Sequence, residues 1–346
     1  MTPTPEAGSG GAQATVVGQA PVEVSIVIPT RNRRPILLET LAGIERAVAT
    51  LPVEVIVIDD GSTDGSTQAV GELSERSPLL LRAIRQESRG PAAARNRGID
   101  VARGAACLFL GDDVRPRAAL VERHVEFHRA HRESGAALLG LVVAAPPLDA
   151  SEFVRWLHEG GVQFGFARLK AGRPTPPECF WTANVSAKTA LIREAGGFDE
   201  SFRGAACEDA ELGLRLAAAG MRLQFDPVAV GEHFHPMDLE DTLARMRTVG
   251  RAYRMLHERA PGFPMPRRPG VRHRLKASAL TAMHLARVRP APVRRASWRF
   301  LCDEVQREAY WELPGRDGAL QVGSTLARLA ARDPAARISS SAPDAP

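Results

Sequence analysis

The chain of 346 residues lacks several features that would assign it to a common class of protein. Its four cysteines (Cys107, Cys179, Cys207 and Cys302) lie far apart and form no Cys-x-x-Cys spacing, which argues against a structural zinc site. No apolar run reaches the roughly 18–20 residues that a membrane-crossing helix needs. No Gly-x-Gly-x-x-Gly follows the first predicted strand, so a dinucleotide-binding dehydrogenase is disfavoured.

Positive charge is concentrated near the C-terminus. Residues 244–300 hold fifteen Lys and Arg against Glu258 as their one acid, a net charge of +14; because the whole chain carries +5, the remainder carries −9. We interpret this stretch either as a solvated helical face or as a surface attracted to an anionic membrane. Few aromatic residues are interleaved with these charges, so nucleic-acid binding is disfavoured. The expected location is cytoplasmic, with peripheral contact at the inner face of the membrane under the second interpretation.

The order of hydrophobic patterns predicts an α/β fold, with a mostly parallel central sheet and helices on both faces. Strands are predicted at 22–28, 53–58, 79–85, 105–110, 136–145, 180–187, 223–225 and 228–231. Helices are predicted at 34–49, 62–76, 92–103, 116–133, 188–195 and 209–219. Residues 150–177 are less regular and rich in Gly and Pro, which predicts a long functional loop.

Two acidic pairs directly follow buried-looking strands. Asp59 and Asp60 come after 53–58, and Asp112 and Asp113 come after 105–110. Ligands of open α/β sheets bind beyond the carboxyl ends of the strands, so both pairs point into one crevice. Carboxylates held close together repel one another. A divalent cation with a phosphate-bearing ligand would relieve that repulsion.

Six segments, in order, resemble the motifs of family 2 glycosyltransferases. They are SIVIPTRNR (25–33), VIVIDDGSTD (55–64), GPAAARNRG (90–98), LFLGDDV (108–114), GGFDE (196–200) and EDAELGLR (208–215), and a late His follows. The resemblance covers about residues 22–236. It implies the GT-A (nucleotide-diphospho-sugar transferase) fold and the inverting, metal-dependent transfer of a sugar from a nucleotide-sugar to an acceptor hydroxyl.

The resemblance also implies a division of the chain into domains. Residues 21–240 form the GT-A domain, with 21–115 as its nucleotide-binding half and 116–240 as its acceptor half. Residues 241–337 form a basic helical C-terminal region. The Gly- and Pro-rich residues 1–20 predict a disordered leader, and residues 338–346 predict a disordered tail.

Most of the donor-binding residues implied by the resemblance lie near the ends of the first strands. The expected nucleotide-sugar contacts are Pro29, Thr30, Asn32, Asp60, Arg95, Asp112, Trp181 and Asn184. Asp60 would accept from a ring N–H of the base, and Arg95 would contact the base or the phosphates. Asp112 would contact the ribose, whereas Trp181 would stack on a sugar ring.

The metal ion, Mn²⁺ or Mg²⁺, is assigned to Asp113 and His233 by the same resemblance. His235 is a rival to His233, since side chains two apart on an extended segment face the same way. The sequence departs from the family pattern at Gly111, where the first acid of the DxD motif often stands.

The Glu-Asp pair before the helix at 209–219 supplies the candidate base. Inversion requires the acceptor hydroxyl to attack opposite the leaving group, and a carboxylate must take its proton. Asp209 is the first choice for this base, and Glu208 is the second.

Two other functions remain open: a non-catalytic nucleotide-sugar-binding protein of the same fold, and a nucleotidyltransferase. Residues 30–33 do not form the Gly-rich basic loop expected of the latter. The QxxRW signature of processive synthases is absent, which favours transfer of single sugars. The expected partners are a nucleotide-sugar donor and a saccharide or lipid-linked acceptor, such as those of cell-envelope polysaccharide.

Overall fold

The computed structural model describes residues 21–311, with the exception of 49, 147, 205 and 267–290. The predicted leader at 1–20 and the predicted tail at 338–346 lie outside the described residues. Residues 267–290, which are part of the basic stretch at 244–300, also lie outside them. None of the helices described is long and apolar enough to cross a membrane.

The described part of the chain contains one mixed sheet in the order β3-β2-β1-β4-β7-β6-β8-β5. Its strands are β1 (Val24–Thr30), β2 (Val53–Asp60), β3 (Leu80–Gln86), β4 (Ala106–Leu110), β5 (Val114–Pro116), β6 (Ala136–Ala144), β7 (Asn184–Lys188) and β8 (Arg222–His233). The four strands β3, β2, β1 and β4 are parallel. Their carboxyl ends therefore lie at one edge, as the sequence predicted for the acidic pairs.

Strand β2 shows why the buried strands do not alternate between apolar and polar residues. Val55 and Val57 pack into a core on one face of the sheet, while Ile56 and Ile58 pack into a core on the other. Because helices cover both faces, both sets of side chains must be apolar.

The described helices are α1 (Arg34–Val48), α2 (Ser66–Ser74), α3 (Pro91–Val101), α4 (Leu120–Ala130), α5 (Glu152–Glu159), α6 (Thr189–Glu194), α7 (Glu208–Ala218), α8 (Leu239–Arg259) and α9 (Ala291–Trp311). Helices α1, α2 and α4 contribute to one core, and α3, α6 and α7 contribute to the other. The prediction of helices on both faces is thus confirmed.

The second half of the sheet departs from a simple parallel order. Strand β7 runs antiparallel to both β4 and β6, and β5 runs antiparallel to β8, whereas β6 and β8 are parallel. Two predicted short strands, 223–225 and 228–231, are one strand in which a β-bulge opposite Gly140 and Leu141 absorbs the irregularity. This long strand brings His233 to the edge where the acidic pairs lie.

Two predicted helix starts were wrong. The helix expected from Pro116 begins at Leu120, because Val114–Pro116 pairs with β8. The helix expected after a cap at Ser62 or Thr63 begins at Ser66. Its preceding turn is held by Asp59, whose Oδ1 accepts from the Ser62 backbone N–H at 2.7 Å.

The predicted loop at 150–177 contains the helix α5. Ser151 caps it, with its Oγ accepting from the Val154 N–H at 3.4 Å, and the helix buries Phe153, Trp156 and Leu157 on one side. That apolar spacing is helical, but the surrounding Gly and Pro residues obscured it in the sequence.

Helices α8 and α9 pack against each other and against α5. Gly250 allows their close approach, since a Cβ there would lie 2.2 Å from the Gln306 carbonyl oxygen. Trp298 of α9 lies edge-on to Phe153 at 5.0 Å and close to Trp156 at 5.5 Å. The described C-terminal helices therefore pack directly against a helix that precedes residue 240.

Candidate active site

A cavity of about 810 Å³ opens at the carboxyl edge of the parallel strands. Of the residues that the sequence predicted for the site, all but Asn32 and Asn184 line this cavity, and the rival His235 lines it too. Its remaining wall includes Arg245 and Tyr253 of α8 and Arg299 of α9. The sequence gave no indication that these C-terminal helices contribute to the site.

The acidic pair after β4 is held by polar groups from the end of β1. Thr30 Oγ1 donates to Asp112 Oδ2 at 2.7 Å. The Arg33 guanidinium donates to Asp112 Oδ1 at 3.0 Å and to Asp113 Oδ2 at 2.8 Å. Burial and the neighbouring charge of Asp113 raise the pKa of Asp112 to about 6. Arg33 thus balances part of the negative charge that these two carboxylates place at the edge of the sheet.

Asp113, His233 and His235 form a cluster with the donor atoms of a metal site. Asp113 Oδ2 lies 3.3 Å from His233 Nε2 and 3.1 Å from His235 Nδ1, and the three ligand atoms lie within 4.8 Å of one another. Burial alone would raise the pKa of Asp113, but the charge of His233 and hydrogen bonds from both histidines hold it well below its usual range. The sequence posed a choice between the histidines, yet both rings stack beside the same carboxylate, 5.2 Å apart.

Gly111 has a steric role in this cluster. A Cβ at this position would lie 2.8 Å from Asp113 Oδ1 and 3.0 Å from Val114 Cγ2. An acid here, where the family pattern often has one, would therefore displace Asp113. The departure from the pattern is compatible with a metal site that uses two histidines in place of a second carboxylate.

His158 was missed by the sequence analysis because it lies in the unpredicted helix α5. Its Nε2 lies 3.0 Å from His233 Nδ1, and its Nδ1 donates to the Val154 carbonyl oxygen at 3.0 Å. Burial, and then the charge of His233, lower the pKa of His158 to about 4, so this ring is neutral. The amphipathic pattern after Ser151 was the only sequence feature that pointed to it.

Asp60 lines the cavity, but its carboxylate also accepts hydrogen bonds from the segment that follows β3. Oδ1 accepts from Gln86 Nε2 and the Arg89 N–H, both at 2.8 Å, and Oδ2 accepts from Ser88 Oγ at 3.2 Å and the Gly90 N–H at 2.9 Å. Four hydrogen bonds fill the acceptor sites of a carboxylate. Its contact with a nucleotide base stays a prediction, and its observed contacts fix the loop after β3.

Arg95 and Glu208 form a buried ion pair beside the candidate base. Arg95 NH1 donates to Glu208 Oε1 at 2.9 Å, and the guanidinium lies 5.5 Å from the centre of the Phe198 ring. Arg95 was expected to contact the base or the phosphates, but its charge is directed at Glu208. Glu208 is 3% exposed and already neutralised, which leaves the neighbouring Asp209 as the less constrained acid.

Asp209 lies at the start of α7, on the cavity wall. Its Oδ1 accepts from the Ala210 N–H at 2.8 Å. Burial and the charge of Glu208 raise the pKa of Asp209 to about 6, against the opposing charge of Arg95. The residue before the pair, Cys207, has a φ of 65°, and a side chain in this left-handed region is strained. Strained backbone and a poised carboxylate together are typical of active sites.

Two of the predicted site residues, Asn32 and Asn184, do not line the cavity. Asn32 Oδ1 accepts from the Thr63 N–H at 2.7 Å, so its side chain braces the turn after β2. Asn184 is fully buried in β7, where its Nδ2 donates to the Ala229 carbonyl at 2.9 Å and its Oδ1 lies 3.0 Å from His124 Nε2. The hydroxyl of Ser186, on the same strand, lies 2.7 Å from Nδ1 of the same buried histidine.

Trp181 lines the cavity as part of an aromatic wall. Its ring lies edge-on to Phe166 at 4.8 Å and near Phe164 at 5.5 Å. These neighbours hold the indole at the cavity wall. A flat aromatic ring of this kind is a surface on which sugar rings can stack.

Two family models match this chain in succession. Glycosyl transferase family 2 matches residues 25–145, and glycosyl transferase family group 2 matches residues 130–292. The chain belongs to glycosyltransferase family 2, as its motifs predicted.

Curated relatives include two bacterial glycosyltransferases. The chain is 33% identical over 225 residues to the validoxylamine A glucosyltransferase of Streptomyces hygroscopicus subsp. jinggangensis, covering 57% of this chain and 52% of that protein. It is 30% identical over 249 residues to the pre-mycofactocin glycosyltransferase of Mycobacterium tuberculosis, covering 70% of this chain and 49% of that protein. The chain thus spans about half the length of these relatives.

Solved structures share the architecture. A mannosyltransferase from Pyrobaculum calidifontis, in complex with GDP-Man and Mn²⁺, superposes with a TM-score of 0.57 at 19% identity, covering 83% of this chain and 86% of the other. Residues 1–349 of TarS from S. aureus, in complex with UDP-GlcNAc, give a TM-score of 0.50 at 19% identity, covering 83% and 91%. At this identity the likeness concerns the fold, and the predicted GT-A fold is confirmed.

Proposed function

We propose that this chain transfers a single sugar, with inversion, from a nucleotide-diphospho-sugar to an acceptor hydroxyl. The observation that carries the proposal is one cavity that holds both the Asp113–His233–His235 cluster and the poised acid Asp209. A site that only bound a nucleotide-sugar would need no carboxylate with a raised pKa at its wall. Membership of the family, and the activities in the names of its relatives, support the same class of reaction.

Asp113, His233 and His235 would hold a divalent cation, Mn²⁺ or Mg²⁺. One carboxylate with two imidazoles suits Mn²⁺ better than Mg²⁺, which prefers oxygen ligands. The ion, when bound, supplies Lewis-acid assistance to the departing diphosphate. In the structure the Arg33 guanidinium forms ion pairs with Asp112 and Asp113. These ion pairs support a site that favours binding of a cation.

Asp209 would take the proton of the acceptor hydroxyl. Its neighbour Glu208 forms an ion pair with Arg95 at the start of α7. Burial and the negative charge of Glu208 keep the pKa of Asp209 high. A single base that activates the attacking hydroxyl is what an inverting transfer requires.

The acceptor in this proposal is a saccharide or a lipid-linked saccharide. The aromatic wall around Trp181 supports a sugar in the cavity, and the absence of QxxRW supports a non-processive reaction. The excess of Arg and Lys in 244–300 supports peripheral contact with an anionic membrane, where lipid-linked acceptors reside.

Thermal denaturation against a panel of nucleotide-sugars, with and without Mn²⁺, tests the proposal. A donor at 100 times its Kd stabilises a protein by about 2.7 kcal/mol. We expect at least one nucleotide-sugar to raise the Tm by several degrees, and more in the presence of Mn²⁺. Stabilisation by nucleoside triphosphates alone would favour a nucleotidyltransferase, and no response to any donor would contradict the proposal.

The pH dependence of turnover is expected to follow Asp209. A base works only when ionised, and the pKa of Asp209 is raised to about 6 by burial and by Glu208. The kcat/KM should therefore rise with pH and level off above a midpoint near 6. Donor binding, followed over the same range by calorimetry, separates this effect from the titration of Asp112. An acid limb centred near pH 4, the usual range of an aspartate, would contradict the assignment.

A further inference from the structure

Three groups form a hydrogen-bonded row behind the candidate metal cluster. His158 Nδ1 lies 3.0 Å from the Val154 carbonyl oxygen, and His158 Nε2 lies 3.0 Å from His233 Nδ1. On its other side, His233 Nε2 lies 3.3 Å from Asp113 Oδ2. The row joins a backbone carbonyl to the metal-binding face of His233.

The direction of each hydrogen bond in this row is fixed from the carbonyl end. A carbonyl oxygen only accepts, so His158 Nδ1 carries a hydrogen. In a neutral imidazole the other nitrogen is then an acceptor. His233 Nδ1 must donate to it, so Nε2 is the nitrogen of His233 that faces Asp113 and that an ion would bind.

From this geometry we propose that His158 is a positioning residue that selects the tautomer of His233 able to bind a metal ion. The inference rests on the proposed function only for the identity of the group that His233 binds. Without His158, the opposite tautomer would donate its Nε2–H to Asp113 at the observed 3.3 Å. That hydrogen bond would occupy both a nitrogen and an oxygen that the ion requires.

The position of His158 is set by a packed framework. Helix α5 carries the ring, and its buried Phe153 and Trp156 lie against Trp298 of α9 at 5.0 and 5.5 Å. Phe164 lies 6.1 Å from the His158 ring and 5.9 Å from the His233 ring. Helix α9 thus supports the position of His158 by packing against α5, although α9 and α5 are far apart in the sequence.

The tautomer itself can be measured in the metal-free protein. Long-range ¹⁵N–¹H spectra of the protein labelled at its nine histidines distinguish a protonated Nδ1 from a protonated Nε2. His233 is assigned by its loss in the variant His233→Gln. We expect His233 to carry a hydrogen on Nδ1, whether or not Nε2 is also protonated, and a His233 protonated on Nε2 alone would overturn the inference. This measurement needs no donor and no turnover.

Two substitutions of His158 test the consequence for metal binding. His158→Phe keeps a flat ring but removes the acceptor, and it should shift His233 to the Nε2–H tautomer and weaken Mn²⁺ binding about 10- to 100-fold. His158→Gln supplies a carbonyl oxygen as acceptor and should restore much of the affinity. His131 is partly exposed and lies away from the cavity, and it provides the matched control, since His131→Phe should change neither quantity. The affinity is read from the electron paramagnetic resonance signal of free Mn²⁺.

The outcomes separate this inference from the proposed function. If the wild-type protein has the Nδ1–H tautomer and binds Mn²⁺, but His158→Phe changes neither, the inference fails and the metal site stands. If the wild-type protein binds no divalent ion, the metal site and the inference fail together. A simple packing role predicts equal losses in His158→Phe and His158→Gln, and that result would also overturn the inference.

Discussion

Replacing Asp209 by asparagine is expected to lower the turnover about 10²- to 10⁴-fold, the usual contribution of a general base. The amide keeps the shape of the side chain and can still accept from the Ala210 N–H, but it cannot take a proton. Binding of the donor and of Mn²⁺ should be unchanged, since Asp113 and the histidines are untouched. Single-turnover transfer, with donor affinity by calorimetry, measures both quantities.

The stability of the same variant provides a second reading. Because the pKa of Asp209 is raised in the folded protein, the folded state holds its proton more tightly than the unfolded chain does. The wild-type protein therefore loses stability as the pH rises from about 4 to about 6. The asparagine variant lacks this penalty and should have a higher Tm than the wild type at pH 7.5.

The adjacent variant Glu208→Gln is the matched control and should behave in the opposite way. It leaves the Arg95 guanidinium buried without its counter-charge, which typically costs about 3–5 kcal/mol. We expect a clear fall in Tm for Glu208→Gln. Full turnover in Asp209→Asn, combined with a folded but inactive Glu208→Gln, would move the base to Glu208.

Replacing Asp113 by asparagine is expected to lower turnover strongly at Mn²⁺ concentrations that saturate the wild type, and to weaken Mn²⁺ binding by more than the roughly 10- to 100-fold typical of outer-sphere changes. Within the part of the chain that the structure describes, Asp113 is the carboxylate that both His233 and His235 contact, and its lowered pKa indicates that the site favours its charged form. An amide offers a weaker oxygen ligand and no charge. Equilibrium titration with Mn²⁺ and steady-state transfer across Mn²⁺ concentrations measure the two effects.

The exposed Asp100 at the end of α3 provides the control for Asp113, because Asp100→Asn removes a carboxylate away from the cavity. That variant should bind Mn²⁺ and turn over as the wild type does. Excess Mn²⁺ should restore part of the activity of Asp113→Asn, since His233 and His235 remain. Equal Mn²⁺ affinity in Asp113→Asn and the wild type would place the ion elsewhere.

The parts of the fold that were predictable are those governed by neighbours along the chain. The unbroken apolar runs of β1, β2 and β4 required burial on both faces, and the acids that follow them required a common edge. Asp112, Asp113 and Asp209 were found in this way with the help of the family motifs. The helix α5 was not predicted, because its apolar pattern extends over only eight residues and is flanked by glycine and proline.

Sequence alone established the family, the parallel half of the sheet and the acids at its edge, because local hydrophobic periodicity and ordered motifs encode these features. Only the tertiary structure decided how distant groups meet. His235 reaches Asp113 across 122 residues of chain, and His158 reaches His233 across 75, because β7 reverses direction and β8 returns to the same edge. The structure also showed that Arg95 forms an ion pair with Glu208, whereas Asp209 forms none with the described residues, since that depends on where Arg95 packs. Strand order and side-chain packing arise from contacts between segments far apart in the chain, which no local pattern records.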